Sequence, residues 1–387
     1  MKITSIETLS VGSRMPGNGK LTDRNFMFVL VHTDEGLTGL GEATLEGHDN
    51  AVRGMITDLE GLLLGEDPRR IEYLTQVMMR QKFWQGGVIK GSAVAGVELA
   101  LWDILGKVLD APVYSLVGGA SRDRIRYYVN GWTQGSLDPV EIGERAGAAV
   151  EQGHRALKLS LALPSWPVRD RELIDHIATV AGAIRDTVGP EVLLMLDGHG
   201  RYDVDQAIAI AGVLADHDFF FLEEPVQPTR VSDTVRVARA ANLPIAAGER
   251  LARKEEFAEY LRADAISVVQ PDVAHCHGFG EALKIASLAD TFGAWIAPHG
   301  PMSPVMTTIS LHLDAVAPNF LIQERVLAGR WSESVITTPL VMEDGYLPLP
   351  TGPGWGIELD EDVCRSHPPF PVTIPRLFRG DGSVADW

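Results

Sequence analysis

The sequence predicts an α/β fold built on a (β/α)8-type TIM barrel, preceded by a smaller unit. Three observations predict it. From about residue 124 to residue 324, eight short apolar runs alternate with helical patterns. The runs are brief and mostly apolar, as a parallel sheet covered on both faces requires. From the third run onward, each one ends in an acid or a histidine. An open doubly wound sheet would share the alternation, but the stretch YVNGWTQGS after the first run is not the glycine fingerprint of that fold.

The elements follow in order. MKITSIETLSV alternates like a strand, and residues 12–24, GSRMPGNGKLTDR, read as a mobile loop. FMFVLVHTDEGLTGLGEA (26–43) reads as a hairpin turning at Asp34-Glu35-Gly36. Helices are expected over 48–64, 69–82 and 92–109, the last apolar on several faces and therefore buried. VGGA (117–120) ends this unit. Barrel strands are expected near 125–130, 155–160, 192–197, 219–222, 244–247, 266–269, 294–297 and 320–323, with Trp295 in the barrel core. The tail from 340, rich in Pro and Gly, is expected to pack back on the first unit. The organisation is then 1–120, 121–335 for the barrel, and a C-terminal segment 336–387.

With 45% hydrophobic and 22% charged residues, the composition is that of a soluble globular chain. A net charge of −18 argues against nucleic acid and anionic membrane as partners. It does not exclude a small anion, because a bound cation can invert the charge of a cleft. Cys276 and Cys364 make neither a disulfide framework nor a zinc site. No apolar run reaches membrane-spanning length and the start lacks a signal-peptide core, so the expected location is the reducing cytoplasm.

In a barrel the carboxyl ends of the strands carry the chemistry. Here they supply Asp197, the pair Glu223-Glu224, Glu249, Asp272, His299 and Glu324. Asp197, Glu223 and Glu249 are spaced 26 residues apart, one β/α unit per step. Three converging carboxylates repel one another unless a cation neutralises them. All-oxygen ligation favours a hard ion, Mg2+ first and Mn2+ second; the alternative is a set of salt-bridged barrel acids. Strand alternation and the 26-residue step favour Glu223 over Glu224 as the inward carboxylate, leaving Glu224 behind the ligands or paired with a basic residue; Arg250 is expected to pair with a neighbouring carboxylate. Asp272 and His299 fall on neighbouring strand ends, and a carboxylate behind an imidazole makes a good general base. His199, two residues beyond Asp197, reads as a general acid or as a further ligand, and the hard-ion reading favours the acid.

Together, MKIT, TDEGLTGLGEA, ALWDILGK, VYSLVGG, LDGHGR, FLEEPV, AAGER, QPD, APHGP, QE and SVADW give the chain an ordered set of motifs. The set resembles the enolase superfamily, in its mandelate racemase group, and is most similar to the D-galactonate dehydratase family. The resemblance implies an α+β capping domain over the barrel mouth and Mg2+ on Asp197, Glu223 and Glu249. It implies His299, oriented by Asp272, as the base that takes the proton alpha to a carboxylate. It implies His199 as the acid at the leaving 3-hydroxyl, and Glu324 beside the substrate carboxylate. The substrate class is then an acid sugar dehydrated to a 2-keto-3-deoxy acid. Relatives of this type are commonly octamers, which implies a homo-oligomer.

The second strand departs from the Lys-x-Lys of racemases in the group: ALKLS puts Lys158 first and Ser160 second. That disfavours 1,1-proton transfer. Lys158 is left to bind the substrate carboxylate, to steady the metal acids, or to be a surface lysine. Ser160 stands where the galactonate enzyme tends to have asparagine. Trp84 and Gln85 stand where it often has Tyr and Arg, so Trp84 is expected at the substrate. His275 is a candidate substrate contact, and His277 a local structural residue. Mannonate dehydratases are the nearest competing branch, but Asp272 behind His299 favours the galactonate layout. A gluconate- or mannonate-type dehydratase, a cycloisomerase, or a non-catalytic binding homologue are the alternative readings.

Overall fold

The computed structural model describes residues 1–14, 23–81, 83–161, 163, 170–327, 332–371 and 376–386. The N-terminal unit is a three-stranded antiparallel sheet with helices on it. Strands β1 (Ile3–Arg14), β2 (Asp23–Thr33) and β3 (Thr38–Glu42) lie in that order. The loop expected over 12–24 is narrower on both sides, since 12–14 continue β1 and 23–24 open β2; residues 15–22 lie outside the described residues. Helices α1 (Asp49–Glu60), α2 (Ile71–Arg80) and α3 (Val88–Val108) follow. Helix α3 starts four residues earlier than its apolar pattern suggested. It is buried nearly all round, as a helix apolar on every face must be. The short α4 (Val113–Leu116) leads into the barrel.

The barrel alternates strand and helix: β4 (Arg124–Asn130), α5 (Pro139–Glu151), β5 (Ala156–Ser160), α6 (Arg171–Val188), β6 (Leu193–Asp197) and α7 (Val204–Asp216). It continues with β7 (Phe221–Glu223), α8 (Val231–Ala240), β8 (Ile245–Ala247), α9 (Lys254–Arg262), β9 (Val268–Val269) and α10 (Phe279–Thr291). It ends with β10 (Trp295–Ile296), α11 (Pro304–Val316) and β11 (Gln323–Val326). Neighbours in sequence pair in parallel from β4 to β10, and β11 pairs with β4. A bridge between Ile296 and Phe320 joins the two ends of the sheet. The last strand therefore sits three residues later than expected: 319–321 bond to Ile296 on one side, and 323–326 pair with β4 on the other.

One buried apolar side chain from each of the eight strand segments meets in a single cluster: Tyr128, Ala156, Met195, Phe221, Ala246, Val268, Ala297 and Ile322. This layer plugs the barrel interior, as in a packed rather than hollow barrel. Trp295 is not in it. Ile296 takes the buried position and Trp295 is about half exposed, because adjacent strand residues face opposite ways.

The C-terminal segment touches both units. Strand β12 (Tyr346–Pro348) pairs antiparallel with β4, while Trp355 Nε1 donates to the carbonyls of Leu40 and Leu99 in the N-terminal unit. Helix α12 (Glu361–Ser366) ties to β1 through Arg365 and Glu7, 3.0 Å apart. Two buried carboxylates close the seam between the N-terminal unit and the barrel. Glu98 of α3 accepts from the Phe279 and Gly280 amides at the start of α10, each at 2.9 Å. Glu42 of β3 accepts from the Met306 amide and from Ser303 at the start of α11. Burial pushes both carboxyls up to about 7. Among the described residues no helix is long and apolar enough to cross a membrane.

Candidate active site

The site follows from strand alternation. Two residues beyond the apolar plug the same inward face carries Lys158 after Ala156, Asp197 after Met195, Glu223 after Phe221 and Glu324 after Ile322. His299 follows Ala297 by the same step. Glu249 breaks the rule, standing three residues beyond Ala246. Gly248 permits this: its φ of +148° suits glycine alone, and a Cβ there would sit 2.8 Å from the Gln270 carbonyl. His199 (φ +47°) and Glu224 (φ +35°) also hold left-handed backbone. Such conformations in non-glycine residues cluster at functional sites.

Lys158 is fully buried among the acids. Its Nζ lies 2.5 Å from Glu223 Oε2, 3.0 Å from Glu324 Oε1 and 3.6 Å from Asp197 Oδ2. It is not a surface lysine. Burial disfavours its charge, but Glu223 and Glu324 more than offset that and keep it a cation. Burial raises Glu223 well above the ordinary carboxylate range, with Lys158 pulling the other way. Burial also works to raise Asp197, yet His199 and Lys158 hold it well below that range. Glu224 turns away to Arg250, 2.6 Å from its Nε.

The donor set suits a hard divalent cation. Glu223 Oε1 is a buried oxygen without a hydrogen-bond partner, and Glu249 Oε2 is buried against the His299 imidazole. Asp197, His199 and Glu249 bring one ligand atom each within 4.8 Å of one another. The expected trio of Asp197, Glu223 and Glu249 is thus split: two of its members cluster with His199, while Glu223 leans to Lys158.

Each of two imidazoles rests on a carboxylate. His299 Nδ1 is 2.7 Å from Asp272 Oδ2, and its Nε2 faces Glu249 Oε2 at 3.0 Å and Glu324 Oε2 at 3.8 Å. Burial pulls the His299 imidazole down, but Glu249 and Glu324 push it well above its usual range. Burial likewise works to raise Glu249, and the facing His299 holds it at about 2. Glu324 is further fixed by the Gly300 amide at 3.1 Å and by Asn130 at 3.2 Å. His199 Nε2 is 3.0 Å from Asp197 Oδ2. Its Nδ1 meets Ser160 Oγ at 3.0 Å and Arg201 Nη2 at 3.1 Å.

The remaining expected residues lie around this centre or away from it. Ser160 reaches His199. His275 is buried, with both ring nitrogens turned to protein groups: Nδ1 to Ser92 at 2.9 Å and Nε2 toward Asp272 at 3.6 Å. Trp84 is 84% exposed and packs edge-on against Phe83. Near it, a cleft of about 370 Å3 at the seam is lined by Arg80, Gln85, Lys90, Arg253, Lys254 and Glu281 among others. Sequence reasoning missed Arg201, although its place two residues beyond His199 was a usable signal. It also missed Gln270, a fully buried amide with neither polar atom hydrogen-bonded.

Comparison with known proteins gives this arrangement its context. Residues 14–118 match the N-terminal domain model of mandelate racemase / muconate lactonizing enzyme, and residues 141–363 match the enolase C-terminal domain-like model. The D-galactonate dehydratase of Verminephrobacter eiseniae is 36% identical over 396 residues, covering all of both chains. That of Cronobacter sakazakii is 34% identical with the same coverage. Among solved structures, an enolase from Agrobacterium radiobacter with bound Na and L-malate superposes with a TM-score of 0.89 at 30% identity, covering 100% of each chain. A mandelate racemase/muconate lactonizing enzyme from Jannaschia sp. gives 0.87 at 32%, covering 95% of this chain and 97% of that one. With both domain models matched and dehydratase relatives along its whole length, the chain is a lyase and belongs to the enolase superfamily, in its mandelate racemase/muconate lactonizing enzyme group.

Proposed function

We propose that the chain is a divalent-cation-dependent acid-sugar dehydratase, acting on D-galactonate or a related C5 or C6 aldonate. The observation that carries this reading is the His299–Asp272 pair, 2.7 Å apart, whose second ring nitrogen faces the acid rim. The D-galactonate dehydratase relatives support the substrate class, and L-malate in the Agrobacterium radiobacter neighbour is itself a 2-hydroxy acid.

Mg2+, or Mn2+, on Asp197, Glu223 and Glu249 would supply positive charge where the deprotonated substrate carboxylate becomes doubly negative. The chain's own residues do the rest. Asp272 holds a proton on His299 Nδ1, so Nε2 is the nitrogen that takes the proton from C2, once it has given up the one it shares with Glu249. Hydroxide is a poor leaving group, so the C3 oxygen must be protonated as it departs. His199 serves that step: Arg201 is donor-only, so Nδ1 accepts and the proton rides on Nε2. Lys158 keeps Glu223, Glu324 and Asp197 together without a base of its own on the second strand. The enol product then tautomerises to the 2-keto-3-deoxy acid.

The test is incubation with D-galactonate, D-gluconate, D-mannonate, D-galactarate and pentonates in Mg2+, with detection of 2-keto-3-deoxy products. Turnover of none of them overturns the dehydratase reading. His299→Asn should abolish exchange of the C2 proton with solvent, and unchanged exchange refutes its role as the base.

A further inference from the structure

Asp272 is shared. Its Oδ1 accepts from the Ala274 amide at 2.7 Å, and its Oδ2 faces two imidazoles, His299 at 2.7 Å and His275 at 3.6 Å. His275 is held from the other side by the N-terminal unit. Ser92 of α3 is fully buried, and its hydroxyl lies 2.9 Å from both His275 Nδ1 and the Val88 carbonyl. Proton counting constrains the state. A serine hydroxyl has one proton. Given to His275, it leaves the imidazole proton on Nε2. Given to Val88, it obliges Nδ1 to donate and turns a bare Nε2 to the Asp272 carboxylate, an acceptor facing an acceptor. The first arrangement is the one that sets an Nε2–H toward Asp272, 3.6 Å away, and avoids that clash of acceptors. The contact is tight: one residue before Ser92, a Cβ on Gly91 would stand 2.5 Å from the His275 carbonyl.

We propose that His275, anchored by Ser92 of the N-terminal unit, is a positioning residue for the proton-transfer pair, setting the Asp272 oxygen that orients His299. It couples the seating of α3 to the base without touching the acid rim. The proposal rests on the dehydratase reading for its catalytic consequence and on geometry alone for the coupling.

The experiment uses the full chain with Mg2+ and the variants His275→Leu, His275→Gln and Ser92→Ala. Gln keeps a donor for Asp272 and Leu does not. Four quantities are read: the rate and the KM of C2 proton exchange of D-galactonate and D-gluconate in D2O, Mg2+ affinity by calorimetry, and the downfield imidazole proton of His299 Nδ1–H, assigned by its loss in His299→Asn. A misplacement of a base by about 1 Å costs on the order of tenfold to a hundredfold in rate, so His275→Leu should slow exchange by that much. KM and Mg2+ affinity should hold within about twofold, His275→Gln should recover most of the rate, and the downfield proton should shift in His275→Leu and Ser92→Ala and return in His275→Gln.

Exchange within about twofold of wild type in His275→Leu, with the downfield proton unmoved, overturns the proposal. So does an equal loss in the Leu and Gln variants accompanied by weakened Mg2+ binding, which marks a merely structural role. If the wild type exchanges neither sugar, exchange is read on the rest of the acid-sugar panel; if it exchanges none, the dehydratase reading falls, and the downfield proton alone decides the coupling: moved in His275→Leu it stands, unmoved it falls.

Discussion

Lys158→Met removes the ammonium that the acid rim holds at its centre while keeping a buried side chain of similar length. The magnitude follows from the contacts. At an effective dielectric of about 20, charges at 2.5 and 3.0 Å attract by roughly 5–7 kcal/mol each before desolvation. Removing Lys158 also removes its own burial cost, and the rim can respond by protonating Glu223, whose carboxyl burial already raises. The net loss is therefore nearer the cost of breaking a buried ion pair, about 3–5 kcal/mol. In a chain of this size that corresponds to a fall in Tm on the order of 5 °C in the presence of a chelator. A divalent cation replaces part of the missing charge, so Mg2+ should raise the Tm of the variant by more than it raises the wild type. Differential scanning fluorimetry of both proteins, with chelator and with Mg2+, measures all four values. A variant that melts within about 1 °C of wild type in chelator refutes the idea that Lys158 holds the acids together.

Metal ligation separates two donor sets that share Asp197 and Glu249. If Glu223 completes the site, Glu223→Gln lowers Mg2+ affinity at least about tenfold and His199→Asn leaves it nearly unchanged, as calorimetry would show; the reverse result places His199 on the ion. Glu42 binds a proton more tightly folded (about 7) than its ordinary value of 4.5. The folded state then holds the extra proton, so this contribution is complete below about pH 4.5 and lost as pH rises through about 7, up to about 3 kcal/mol. Glu42→Gln should flatten that part of the fall in urea midpoint between about pH 5 and pH 8, and an unaltered slope would contradict it. Glu98→Ala orphans two backbone amides and the Trp102 indole, each worth about 1–3 kcal/mol, and should destabilise by about 3–9 kcal/mol in chemical unfolding.

The barrel was legible because each strand is a buried run and each run ends in chemistry. Asp197, Glu223 and Glu324 could be placed because an inward polar residue falls two positions after an inward apolar one. Glu249 was found by its spacing, although the backbone reaches it only through the left-handed turn at Gly248. What could not be read is what depends on partners far along the chain. The burial of Lys158 depends on Glu223 and Glu324, 65 and 166 residues later. The part played by His275 depends on Ser92, 183 residues earlier. Trp295 was misplaced because β10 is only two residues long, too short for alternation to show which of them faces in.

The seam carboxylates bear on the order in which this polypeptide can finish folding. Glu42 and Glu98 leave the ribosome long before the amides of Phe279, Gly280 and Met306 that they cap. Until those helices exist, both acids must stay solvated or carry a proton, so the N-terminal sheet and its long helix cannot shut tightly on their own. A nascent chain stalled before residue 279 should therefore behave as a loosely closed intermediate, vulnerable to proteases at the surface that α10 and α11 later cover.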